Sequence, residues 1–247
     1  MSDPAALTMA GRCIRLSMRQ IDALITSLAL PVLLMLMFVY LFGGAIETGG
    51  DYVTYVVPGV ILLCAGFGSA TTAVTVSQDM TGGIVDRLRS MDVGGPAVLA
   101  GHVAASVVRN AASTALVLGV ALLIGFRPHA SALDWLAAAG VLLAYVLAIS
   151  SLAAALGLIA SSPEAANGIT FVVMFLPYAS SAFVPVDTMP SWLQGFAAHQ
   201  PITPVVETLR GLLLGGHTDA VTALAWSAAI LVASVAASGS LFRRRTG

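Results

Sequence analysis

The 247-residue chain contains no lysine. Its 11 basic residues are all arginine, and together with 12 acids they leave only 9% of the chain charged. Soluble domains carry about a quarter charged residues, so this chain cannot clothe a water-facing surface, and a soluble globular enzyme is excluded. A hydrophobic fraction of 58% and a mean hydropathy of +0.93 exclude disorder. The net charge of −1 leaves no electrostatic footprint for nucleic acid. Cysteine is nearly absent. Cys13 sits in an arginine-bearing stretch and Cys64 in an apolar run, two places not expected to meet, so no disulfide is expected. His102, His129, His199 and His217 show no paired ligand spacing, which argues against a zinc centre.

Six apolar runs approach the roughly 20 residues a bilayer-crossing helix needs: 25–42, 55–76, 98–124, 135–159, 168–183 and 221–242. The fifth is a little short. The first follows arginines as a signal peptide does, but it is longer than a typical signal core and five runs follow it, which makes it an uncleaved span. The sequence therefore predicts an all-α polytopic membrane protein, one transmembrane domain over 1–247. The arginines fix its orientation. Arg12, Arg15, Arg19, Arg87, Arg89 and the triplet Arg243–Arg245 fall on one side of a six-span arrangement, and Arg127 and Arg210 on the other. Both termini are then cytoplasmic, the chain is a multi-pass protein of the plasma membrane, and Trp135 and Trp192 fall near the outer interface.

Three segments do not span. Residues 5–20 place Leu7, Ile14, Leu16 and Met18 among Arg12, Arg15 and Arg19 at roughly helical spacing. Two readings fit: an amphipathic helix on the cytoplasmic membrane face, or a basic flank that only sets orientation. In the loop 77–96, Ile84, Leu88 and Met91 share one helical face, with Asp86, Arg87 and Arg89 off it. That apolar face favours a docking element over a solvated connector. The outer stretch 184–219 is punctuated by Pro185, Pro190, Pro201 and Pro204. Between the prolines lie 191–199 and 205–214, apolar pieces too short to cross, which predict short outer helices before the last span. Glu207 and Arg210 sit at i,i+3 in the second piece, the spacing of a structural pair.

The chemistry that is missing narrows the function. All 12 acids lie outside the six runs, so a proton relay or a ring of carboxylates has no obvious handle. A Walker A loop needs a lysine, so the chain has no ATP-hydrolysing machinery of that kind. There is no His-Glu-x-x-His helix and no Gly-x-Ser-x-Gly elbow. Arg109 is the one charge inside a run. It either lines a polar pathway or snorkels to the inner headgroups.

With these features in place, the chain resembles the membrane subunit of type-2 ATP-binding cassette exporters, in the branch of the daunorubicin-resistance permeases. Two stretches carry the resemblance. Gly83-Ile84-Val85-Asp86-Arg87-Leu88-Arg89-Ser90-Met91 is similar to the family's Asp-Arg-x-Arg-Ser coupling loop, although Met91-Asp92 stands where the family usually has Leu-Pro. Residues 200–211, from Gln200-Pro201 to Arg210-Gly211, are similar to its Pro-x-x-Pro…Arg-Gly stretch. The resemblance implies a non-catalytic permease that moves an amphipathic drug, antibiotic or lipid outward. ATP and magnesium would be bound by separate cytoplasmic ATPase subunits, and the chain itself would hold no cofactor. It would pair with a second permease, identical or homologous. ATPase closure would push on Ile84, Asp86, Arg87, Leu88, Arg89 and Met91. A polysaccharide exporter of the same superfamily and a stand-alone carrier or channel are the alternatives.

Overall fold

The computed structural model describes residues 3–19, 21–46, 51–85 and 94–246, and among these there are helices and turns but no strand. The α-helices are α1 (Asp3–Arg19), α2 (Ile21–Met37), α3 (Tyr52–Thr81), α4 (Gly95–Leu123), α5 (Ala132–Ile159), α6 (Pro163–Phe175), α7 (Ser191–His199), α8 (Ile202–Leu214) and α9 (Ala220–Thr246). Local chemistry sets several boundaries. Gly83, at φ 69°, adopts the left-handed conformation just past the end of α3. α5 opens with a capping box: Ser131 Oγ accepts from the Asp134 amide, and Asp134 Oδ2 accepts from the Ser131 amide at 2.9 Å. Inside the apolar α3, the hydroxyls of Thr71, Thr72 and Thr75 donate back to carbonyls one turn earlier, so they enter a greasy environment already paired.

Four helices are long and apolar enough to cross a bilayer: α3, α4, α5 and residues Ala220–Leu241 of α9. A shorter apolar helical stretch, Leu28–Phe42, ends in a π-helical turn over Phe38–Phe42. The fifth apolar run differs from its sequence boundaries of 168–183. Helix α6 begins earlier, because Ser162 caps it and Pro163 occupies its first turn. It stops at Phe175, before a 3-10 turn over Leu176–Ala179 that contains Pro177. Beyond that turn, Tyr55 Oη donates to the Ser181 carbonyl at 2.9 Å and Tyr52 Oη to the Phe183 carbonyl at 3.1 Å. Those tyrosines lie in the first turn of α3, at the end of the bundle opposite Pro163. A broken segment thus covers the length for which a single helix was expected. Outside the membrane runs, α7 occupies 191–199 as expected. α8 starts three residues before the expected 205, because Pro204 is tolerated in its first turn.

Helix α3 is the axis of the core: Val56, Val60, Leu62 and Leu63 are fully buried. Helix α5 packs on it backbone to backbone. A Cβ added at Gly157 would lie 2.5 Å from the Ala73 carbonyl oxygen, so only glycine permits this approach. The outer flank of α9 leaves Val221 and Val232 exposed, as a lipid-facing helix does. Gly157→Ala should therefore lower thermal stability in detergent by about 1–3 kcal/mol. Gly140→Ala, on the same helix with nothing within 4 Å of its added Cβ, should leave it unchanged. Equal melting of the two variants would refute the close-packing account.

Candidate functional site

The end of the bundle where α3 stops and α4 starts gathers the chain's buried charge. Asp79, in the last turns of α3, is 9% exposed. Arg12 of α1 donates to its Oδ2 at 3.1 Å, and His102 Nε2 of α4 donates to the same oxygen at 3.1 Å. The carboxylate accepts only, so the proton of this contact is on Nε2. His102 Nδ1 lies 3.5 Å from Thr75 Oγ1. One carboxylate thus ties three helices together.

Two turns deeper, Arg109 of α4 is 6% exposed. Its Nη1 donates to Ser17 Oγ of α1 at 2.6 Å, and its Nη2 to the Gly68 carbonyl at 3.0 Å and Thr72 Oγ1 at 2.9 Å. Its head is held among α1, α3 and α4. The seam continues as Ser106 Oγ accepts from Ser150 Oγ at 2.8 Å, and Ser150 lies 3.3 Å from Ser69. Arg109 Nε and Asn110 Oδ1 are buried without a partner.

These contacts change the reading of the N-terminal segment. Its helix buries Met9 and Cys13 against α4, where a Cβ on Gly101 would meet Met9 backbone at 3.0 Å and Cys13 Sγ at 3.2 Å. Leu7 and Leu16 stay exposed on the other flank. Burial pushes the Cys13 thiol up from its ordinary range, against the pull of Arg12 and Arg109.

Sequence reasoning missed the Asp79 cluster, leaving Asp79 in the loop 77–96 that follows the second apolar run. A signal was available. Helices α3 and α4 form an antiparallel hairpin, in which residues equidistant from the turn share a height. Asp79 and His102, and likewise Thr72 and Arg109, are centred on the same Ser90–Met91 bond. Polar residues paired across one midpoint mark a buried seam.

Of the expected coupling residues, Ile84 is described and exposed at 36%. Asp86, Arg87, Leu88, Arg89 and Met91 lie outside the described residues. The adjacent Val85 is buried with Val76 of α3 and Ala154 and Leu158 of α5, and Leu99, Val103 and Leu241 pack against them. The root of this segment therefore touches the ends of four helices.

At the opposite end, Arg210 Nη1 and Glu207 Oε1 are 3.5 Å apart, and the Glu207 side chain is 50% exposed. Stronger partners hold the arginine. Nη2 donates to the Ser181 carbonyl at 2.8 Å and the Tyr55 carbonyl at 3.2 Å, and the guanidinium carbon lies 3.9 Å from the centre of the Tyr55 ring. Arg210 therefore joins α8, the first turn of α3 and the loop after α6. Nearby runs a ladder of rings: Phe171–Phe175, Phe175–Tyr178, Tyr178–Phe183, Phe183–Phe38 and Phe38–Phe42, with centroids 4.4 to 5.6 Å apart. Phe171 and Phe175 are exposed, as is Tyr40 in the π turn.

A chain that is helical and strand-free over its described residues, with several membrane-length apolar helices among them, is a multi-pass membrane protein. The chain belongs to the ABC-2 type transporter family, whose profile matches residues 5–214. It is similar to the daunorubicin resistance ABC transporter permease protein DrrB1 of Streptomyces coeruleorubidus, 31% identical over 226 residues, which cover 90% of this chain and 80% of that protein. It is also similar to the probable doxorubicin resistance ABC transporter permease protein DrrC of two Mycobacterium tuberculosis strains, 25% identical over 218 residues, 87% of this chain and 79% of that protein.

Two predictions follow from this geometry. A charge-assisted hydrogen bond contributes about 1.5–3 kcal/mol, so Asp79→Asn should let α1 lift from α4 about tenfold more often. Cys13 alkylation in detergent should speed up by that factor while buried Cys64 stays protected; unchanged Cys13 kinetics would refute the clamp. Arg210→Lys loses the planar fork and the stacking and should destabilise by about 2 kcal/mol. Glu207→Gln should cost under about 1 kcal/mol. Equal losses in thermal melts would mean that the carboxylate, not the carbonyl pair, anchors Arg210.

Proposed function

We propose that this chain is the membrane-spanning subunit of an ATP-driven exporter that moves amphipathic drugs, antibiotics or lipids from the cytoplasm or inner leaflet outward. The observation that carries this reading is its 31% identity, over 90% of its length, to a daunorubicin resistance permease. In this reading ATP and magnesium are bound by separate cytoplasmic ATPase subunits. A second permease copy or a homologue completes the pathway. The four long helices, the stretch Leu28–Phe42 and the broken segment 163–183 make six crossings, with both termini on the arginine-rich cytoplasmic side. α1 packs against α4 at that side, with Leu7 and Leu16 on its exposed flank turned toward lipid. The open aromatic ladder supports a cargo with flat apolar parts, because rings stack on such surfaces with little loss of rotamer freedom.

ATPase closure pushes on Ile84–Met91 in this scheme. Val85 passes the displacement to the ends of α3, α4, α5 and α9, and the Asp79 clamp carries it to α1. Asp79, Arg12 and His102 are positioning residues for that step, and Glu207 with Arg210 anchors the outer segment.

The test is co-purification of the ATPase together with cargo-stimulated ATP hydrolysis. Leu88→Asp places a charge in an apolar contact and should weaken partner retention about tenfold or more, with the permease still folded in the membrane. Full retention and full stimulation in that variant would remove this loop as the coupling element. Export by the purified chain alone, in vesicles without any ATPase, would overturn the exporter reading.

A further inference from the structure

Helices α4, α5 and α9 come together near the end of the bundle where α4 begins and α5 and α9 finish. They enclose a cleft of about 760 Å³, within the roughly 300–1,000 Å³ range of small-molecule sites. Its walls are apolar, with Leu99 and Val103 on α4, Leu147 on α5 and Val235 on α9. Two polar side chains, Ser151 and Ser238, also line it. Elsewhere on α9, Ser227 and Ser240 donate to carbonyls of the preceding turn at 2.9 and 2.8 Å. Ser151 and Ser238 have no hydrogen-bond partner among the described residues, so two hydroxyls are free to meet a ligand.

The helix that forms one wall of the cleft carries charge of one sign only. Helix α9 has no acid, and its only charged residues are Arg243, Arg244 and Arg245, which begin one turn beyond Gly239 on the cleft's own wall. An uncharged apolar slot with free hydroxyls inside it and three arginines beginning one turn further along a wall helix matches one kind of occupant. It is an amphiphile with an acyl body, ester oxygens at the neck and an anionic head.

We infer that this cleft holds an anionic phospholipid of the inner leaflet, its acyl chain between α4, α5 and α9 and its phosphate beside the arginine triplet. The inference rests on the orientation in the exporter reading, which turns this end toward the cytoplasmic leaflet, where anionic lipid and basic juxtamembrane residues attract. The site is separate from the aromatic ladder and adjoins the coupling root, since Leu99 and Val103 both line the cleft and pack on the cluster that buries Val85. A bound lipid would therefore set the spacing of the helix ends on which the ATPase acts.

The experiment uses the full chain, with no ATPase and no cargo. It is reconstituted in nanodiscs of phosphatidylcholine with a minor fraction of phosphatidylglycerol of the same chain length. Lipids retained after mild extraction are counted by native mass spectrometry. Phosphatidylglycerol should be retained over phosphatidylcholine by about fivefold or more after correction for its fraction. Replacing Arg243, Arg244 and Arg245 together by Gln should abolish the preference and leave a lipid bound. Gly239→Leu should remove the lipid, because its new Cβ meets no heavy atom within 4 Å and the side chain fills the slot without a clash. Ala104→Leu on the facing wall should do the same.

Equal retention of the two lipids by the unaltered chain would overturn the proposal. So would full lipid retention in both filled variants. Displacement of the lipid by daunorubicin would assign the cleft to cargo instead, and loss of permease dimers in Gly239→Leu with lipid retained would assign it to a second copy. None of these readouts uses ATP, so failure here is distinguishable from failure of the exporter reading, which is measured by ATP-driven transport.

Discussion

The carboxylate of Asp79 is the point on which the arrangement of α1, α3 and α4 depends. A charge this buried is tolerated only when it is paired, and its two partners come from α1 and α4. The requirement acts in both directions. Asp79 needs Arg12 and His102, and while it holds them α1 cannot leave the bundle and α4 cannot slide along α3. Arg109 repeats the constraint deeper in the protein through Ser17, Gly68 and Thr72. Two cross-links at different heights fix α1 along its axis as well as against its neighbours. Apolar packing alone does this poorly inside a membrane, where lipid tails are as greasy as leucine. Register there has to come from directional bonds and close contact between small residues, and Gly157 and Gly101 supply the second kind.

The same seam is not fully satisfied. Arg109 Nε and Asn110 Oδ1 are buried without partners, and a half-satisfied polar network in a low dielectric is held at some expense in stability. In a protein proposed to alternate between two arrangements, that is a physical reason for such groups to persist. Donors and acceptors left open in one arrangement can be paired in the other, which narrows the free-energy gap between them. The outer end is built differently. There Arg210 is held by backbone carbonyls of α3 and of the loop after α6, so it fastens a break in a helix.

Much of this was legible in the sequence, and the limits have physical causes. Hydropathy located the long apolar helices because membrane crossing constrains every residue in a run. Proline placed α7 and α8 because it forbids continuation. The fifth run was misjudged at both ends because Ser162-Pro163 looks like a terminator and is an N-cap, while Leu176-Pro177 lies inside an apolar stretch and breaks it. Asp79 was left in a loop because its burial comes from α1, a helix 67 residues away in sequence, and no local pattern reports a partner that distant. Glu207 and Arg210 were paired on spacing, and they do meet. But the bonds that hold Arg210 come from Tyr55 and Ser181, and backbone acceptors carry no sequence signature.

In the proposed scheme, how a push on residues 84–91 would travel depends on the end of α3. If the helix ran unbroken into residues 84–91, force on the loop would pass straight along its backbone. Gly82 and Gly83 interrupt it, with Gly83 in the left-handed conformation, and a glycine pair transmits bending poorly. The load must then pass through side-chain contact. The contact present is Val85, buried among residues of α3 and α5, with Leu99 and Val103 of α4 and Leu241 of α9 against them. Through such a joint, a displacement separates or closes the ends of several helices together, where a continuous rod would tilt only one. Residues of α4, α5 and α9 line a common cleft near this end, so in that scheme their spacing is the coordinate that Val85 would change. The Asp79 clamp, less than two helical turns from Val85 along the chain, makes α1 follow the same movement. A polar knot beside an apolar joint gives the charge-poor chain one place where a force from the aqueous side meets a part of the membrane domain free to yield.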